Sequence, residues 1–138
     1  MLRLFTAWAL AAACAPAFAQ ALQPGQWEFT NSMQIPGAPK PQVMTTQRCV
    51  TRQESEDPER WMGKKADQAD CKVTIKSKTA TSASWEISCP KSGMRGTGTA
   101  RITGTTMESD QRMVGEMQGK KFEMQIKTSG RRLGPCKS

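Results

Sequence analysis

The chain has 138 residues, a net charge of +8 and 37% hydrophobic residues, and it contains neither histidine nor tyrosine. That length makes one domain able to bury a core without a structural metal. Without histidine, any general base would have to be a carboxylate or a lysine, and the commonest metal ligand is missing.

Residues 1–19 read as a targeting segment. Arg3 precedes an apolar run over 4–13, and Ala17-Phe18-Ala19 puts small residues at the −3 and −1 positions of a signal-peptidase site. The run is too short for a permanent membrane span. Cleavage after Ala19 is the expectation, with residues 20–138 as the single mature domain and membrane contact only through the leader. Two alternatives are lipid attachment at Cys14, within the poor lipobox AAAC, and a retained anchor. Loss of the leader removes Arg3 and leaves a charge of +7.

Leu22-Gln23-Pro24-Gly25 turns the chain into a first strand over 26–35. There Trp27, Phe29, Met33 and Ile35 alternate with polar residues, and Asn31 breaks the pattern. A loop with three prolines, 36–41, leads to a Val/Thr-rich second strand over 42–50. Thr51 and Glu54 have capping-box spacing and open a short helix. Asp57-Pro58 repeats the start signal, so two short helical turns are expected rather than one helix, with Trp61 and Met62 pinning the segment to the sheet.

The stretch 71–89, CKVTIKSKTATSASWEISC, reads as a β-hairpin closed by a disulfide. With Cys71 opposite Cys89, Val73 faces Ile87 and Ile75 faces Trp85, all on one side. Lys72 then faces Ser88, Thr74 faces Glu86, and Lys76 faces Ser84 on the other. Four cysteines remain in the mature chain, and an even count in an exported protein predicts two bridges. The hairpin assigns Cys71–Cys89, and elimination leaves Cys49–Cys136. Loop-closure entropy makes these worth about 3 and 4–5 kcal/mol respectively. A zinc or redox site would need CxxC or histidine spacing, which is absent.

After Pro90, the glycines of 93–102 could bring to mind a phosphate loop, but the Gly-Lys-Ser/Thr ending is missing, and glycines that let a strand bend are the better reading. Strands over 107–117 and 121–128 follow, the latter with Phe122, Met124, Ile126 and Thr128 on one face. That face continues onto Met113 and Met117 of the preceding strand. The fold expected is mainly β: a single antiparallel meander of about seven strands, as a curled sheet, a sandwich or a partly closed barrel, with one short helical segment.

The segments PGQWEF, CVTRQE, CKV…WEISC and the closing SGRRLGPC resemble the domain-of-unknown-function 3617 family of small exported bacterial proteins. The likeness covers essentially the whole mature chain. It implies a periplasmic or envelope protein with two disulfides, and it brings no activity, substrate or catalytic residue with it.

No pair of carboxylates stands out at acid/base spacing, so no enzyme and no cofactor is expected. Eight methionines remain after the leader, at 33, 44, 62, 94, 107, 113, 117 and 124. They read first as core filler, or as the lining of a cavity for a flexible apolar ligand. Met113, Met117 and Met124 could alternatively form a Cu(I) or oxidant-handling cluster. The positive charge reads as protection of strand edges or as attraction to anionic envelope components. Arg131 and Arg132, being adjacent, should point to opposite faces of a strand. Nucleic acid is not expected as a partner, since no basic-plus-aromatic stacking motif occurs. The functional expectation is a binding or envelope-accessory module for an apolar ligand, an anionic envelope component or a protein partner.

Overall fold

The computed structural model describes residues 22–57, 67 and 70–137. The leader, Cys14, the second helical turn, Trp61 and Met62 lie outside the described residues. The elements are β1 (Gly25–Gln34), β2 (Gln42–Val50), α1 (Arg52–Glu56), β3 (Lys72–Lys78), β4 (Ser82–Cys89), β5 (Met94–Ile102), β6 (Thr106–Met117) and β7 (Lys120–Gly134). All seven strands join one antiparallel sheet in the order β2-β1-β7-β6-β5-β4-β3.

Strands β3 to β7 form a meander, because tight turns leave each strand beside its successor. The β1–β2 hairpin then docks through β1 onto β7. The last strand runs on to Gly134, beyond the expected end at Thr128. The residues gained pair with β1: Arg131 opposes Glu28, and Gly130 opposes Phe29.

The disulfide hairpin has the expected pairs Lys72–Ser88, Val73–Ile87, Thr74–Glu86 and Ile75–Trp85. Beyond Ile75 the register differs from expectation. A bulge makes Ser77, not Lys76, the partner of Ser84. The Ser77 and Ser84 hydroxyls bond at 2.6 Å, and Lys76 reaches Glu86 at 3.5 Å. One extra residue on an edge strand increases local twist and leaves a lysine on the edge, which discourages further pairing.

Both bridges form as expected, with Cα separations of 5.3 Å for Cys49–Cys136 and 4.0 Å for Cys71–Cys89. The helix forms where Thr51 and Glu54 place it, and both halves of the capping box are made.

The sheet curls but does not close. Glycines allow the curl by letting large side chains lie flat across a neighbouring strand. A methyl group on Gly130 would stand 2.8 Å from the Phe29 ring. One on Gly98 would collide with the Trp85 indole, with Nε1 only 2.6 Å away. The main cluster of buried residues is small: Leu22, Trp27, Phe29 and Val50, with Ile102 and Met107 packed against it. Trp27 is completely buried, donates its indole N–H to the Gln23 carbonyl at 2.9 Å, and stacks on Phe29. Truncating such a residue to alanine costs about 3–5 kcal/mol.

A cavity on the concave face

A strand places alternate residues on one face, and hydrogen-bonded partners share that face. Reading across the sheet, Lys78 pairs with Ala83, Ala83 with Ala100, Ala100 with Ser109, Ser109 with Thr128, and Thr128 with Asn31. From Ala83 to Asn31 this row carries only small or short side chains. On one side of it stand Phe29, Met107 and Ile102, and on the other Gln111, Trp85 and Ile75. All of these residues line a cavity of ≈ 320 Å³.

Residues from both sheet edges line the same space, Thr46 and Arg48 from β2 and Ile75 and Lys78 from β3. The curl has therefore brought the two edges round to a common hollow. Its interior is not filled by side chains, unlike the packed centre of a small closed barrel. Asn31, the break in the apolar pattern of β1, sits in the floor. Its Oδ1 accepts a hydrogen bond from the Thr128 hydroxyl at 2.7 Å. That pairing satisfies a polar group on an otherwise apolar surface.

At the β2 end, Arg48 pairs with Glu54 at 3.1 Å and lies over the Phe29 ring, 5.4 Å from its centroid. Burial pushes the Glu54 carboxyl up, but hydrogen bonds from the Thr51 backbone and from Arg48 outweigh it and hold the group below its ordinary value. Glu54 is thus a carboxylate, and the Arg48 charge is matched at the cavity wall.

On the outer face, charged residues pair across neighbouring strands. Arg131 reaches Glu28 at 2.8 Å and Arg112 reaches Glu123 at 2.6 Å. Hydrogen bonds from Gln47 and Arg131 lower the Glu28 carboxyl, and Arg112 lowers that of Glu123. Arg132, on the opposite face from Arg131, donates to the Pro24 carbonyl at 2.8 Å.

The three methionines read as a candidate copper cluster are divided. Met113 lies directly opposite Met124 in β7, and Met113 is buried. Met117 stands at the hairpin end opposite Lys120 and is 65% exposed. Sequence reasoning missed the cavity floor of Ala83, Ala100, Ser109, Thr128 and Asn31. Its one local signal was Asn31 standing where an apolar residue was due.

Among the described residues, no group of three histidine, cysteine, aspartate or glutamate side chains is placed to hold a metal ion. No helix of the described residues is long and apolar enough to cross a membrane. A family model described as a protein of unknown function, DUF3617, matches residues 22–136. No curated protein and no solved structure matches the chain.

Proposed function

The chain belongs to the DUF3617 family, and from that premise we propose that it is a non-enzymatic, periplasmic binding module whose concave face holds an apolar ligand. The observation that carries this reading is the unfilled cavity of ≈ 320 Å³ walled by Phe29, Ile75, Trp85, Ile102 and Met107. Apolar clefts of that size with a few placed polar groups are the usual form of a small-ligand site. Leaving such a surface in water costs free energy that an apolar ligand recovers on binding.

Native mass spectrometry of the mature protein purified from the periplasm tests the reading. A co-purifying mass of lipid size supports it. A bare mass, together with no enhancement of N-phenyl-1-naphthylamine fluorescence on titration, refutes it.

A second reading, Cu(I) or oxidant handling, rests on Met113 facing Met124 across β6 and β7. Stoichiometric Cu(I) uptake under anaerobic conditions, lost in a Met113/Met117/Met124→Leu variant, would promote it over the first.

A further inference from the structure

The polar groups of the cavity narrow the ligand class, and the inference that follows rests on the binding reading above. Charge comes first. Of the residues lining the cavity, Arg48, Glu54 and Lys78 carry charge. Arg48 and Glu54 satisfy each other at 3.1 Å, and Lys78 is engaged as well. An anion entering the cavity gives up its water without gaining a cation of its own, and a cation finds Glu54 already paired. Burying an uncompensated charge costs enough to keep such molecules in solvent. The cavity therefore selects for an uncharged molecule, although the chain as a whole carries a net charge of +8.

The second feature is a set of neutral polar groups on the floor. Trp27, Phe29, Asn31 and Met33 alternate along one face of β1, so an amide stands where alternation calls for an apolar side chain. Its Oδ1 accepts the Thr128 hydroxyl at 2.7 Å. That bond fixes which way the amide is turned. Its NH2 group makes no hydrogen bond among the described residues. The Ser109 hydroxyl, next across the sheet from Thr128, and the Gln111 amide on the same strand make none either. All three side chains line the cavity. Residues that break the local pattern of a fold without bonding within it mark functional positions.

The available atoms of Asn31 are donors, and a serine hydroxyl donates readily. Their complement is an acceptor, and the uncharged acceptor with two lone pairs is a carbonyl oxygen. Apolar residues surround these groups, with Phe29, Met107 and Ile102 to one side and Trp85 and Ile75 to the other. The lining continues along the strands to Leu22 and Val50, so the apolar part of a ligand has breadth as well as length.

We propose that the ligand is an uncharged apolar molecule bearing a carbonyl group (a ketone, ester or amide), whose oxygen accepts from the Asn31 side-chain NH2 on the floor, beside Ser109. Its apolar body lies against Phe29 and Trp85. Few placed polar groups in an apolar cleft orient a ligand in this way.

The test uses three probes with one ring system and different polar ends: 2-acetylnaphthalene, 2-naphthoate and 2-isopropylnaphthalene. Each is titrated against N-phenyl-1-naphthylamine bound to the exported protein with both disulfides intact, in about 0.15 M salt to screen the exposed charges. The ketone should displace the dye at a concentration at least tenfold lower than the carboxylate does. The ratio of ketone affinity to isopropyl affinity should fall about fivefold in Asn31→Leu, the worth of one neutral hydrogen bond. Comparing this ratio between proteins cancels the different costs of drawing the two probes out of water. Ser109→Ala, which removes a single oxygen atom, should move the ratio in the same direction and carries the comparison if Asn31→Leu fails to fold.

A ratio unchanged in the variants that fold overturns the carbonyl site. Naphthoate binding as tightly as the ketone overturns the selection for an uncharged ligand. Either result leaves the binding module standing, because the dye is still bound. Failure of the dye to bind the unaltered protein overturns the module as well.

Discussion

The contact between Gly98 and Trp85 makes a quantitative prediction about the wall of the cavity. The two residues face each other across β4 and β5, and the indole lies on the space a side chain at 98 would occupy. In Gly98→Ala the new methyl group must displace the ring, because the other side of the contact is backbone. Overpacking of this kind costs about 1–3 kcal/mol, and the rigidity of the indole places this case at the upper end. Trp85→Ala alone removes a buried aromatic ring and should cost about 3–5 kcal/mol, less whatever the open cavity already leaves in water. In the Trp85→Ala background the clash is gone. Gly98→Ala should then be neutral or stabilising by about 0.5 kcal/mol, since alanine restricts the unfolded chain more than glycine does. The coupling energy across the double-mutant cycle is therefore about 2–3 kcal/mol. Urea denaturation of the four proteins measures it. If Gly98→Ala costs as much without the indole as with it, the close approach is not the reason glycine stands at 98.

Three further predictions concern other parts of the molecule. The bridges span 87 and 18 residues, so loop-closure entropy predicts a loss of about 4.6 kcal/mol for Cys49→Ala/Cys136→Ala and about 3.2 kcal/mol for Cys71→Ala/Cys89→Ala. A larger loss from the short bridge in urea denaturation would contradict that order. The carboxyls of Glu28, Glu54 and Glu123 are lowered in the folded protein. Their contribution is therefore complete above the unfolded value of 4.5 and is lost as pH falls below it through the folded values. With no histidine in the chain, the urea midpoint should be level from pH 8 to about 5.5, and a decline within that range would show another group at work. Under hydrogen peroxide, Met117, which is 65% exposed, should be oxidised well before Met113, which is 4% exposed. Peptide mapping by mass spectrometry reads the order, and equal rates would mean that Met113 is not covered.

How much of this was legible beforehand varies along the chain. The hairpin of β3 and β4 could be read pair by pair, because alternation and a cysteine at each end specify one register. The bulge after Ile75 could not, since it depends on which of two adjacent residues, Lys76 or Ser77, meets Ser84. The capping box at Thr51 and Glu54 was legible because all its partners lie within one turn. The continuation of β7 to Gly134 was not, because Gly-Arg-Arg-Leu-Gly has no strand pattern of its own. That segment is extended because β1 offers it partners, and Arg131 meets Glu28 across 103 residues of chain.

The cavity shows the same division. Local alternation and turn chemistry act over a few residues, and from them came the seven strands, the short helix and the Cys71–Cys89 pairing, with Cys49–Cys136 following only by elimination. Which strands become neighbours is decided by contacts between residues far apart in the chain, such as Thr128 and Asn31, 97 positions apart. The floor of Ala83, Ala100, Ser109, Thr128 and Asn31 draws one residue from each of five strands, so it exists only after every intervening register is set. Curling then depends on Phe29 and Trp85 lying over glycines of adjacent strands. No stretch of the chain holds both members of that floor's end pair, and so the tertiary structure alone turns a pattern of apolar faces into a hollow with walls.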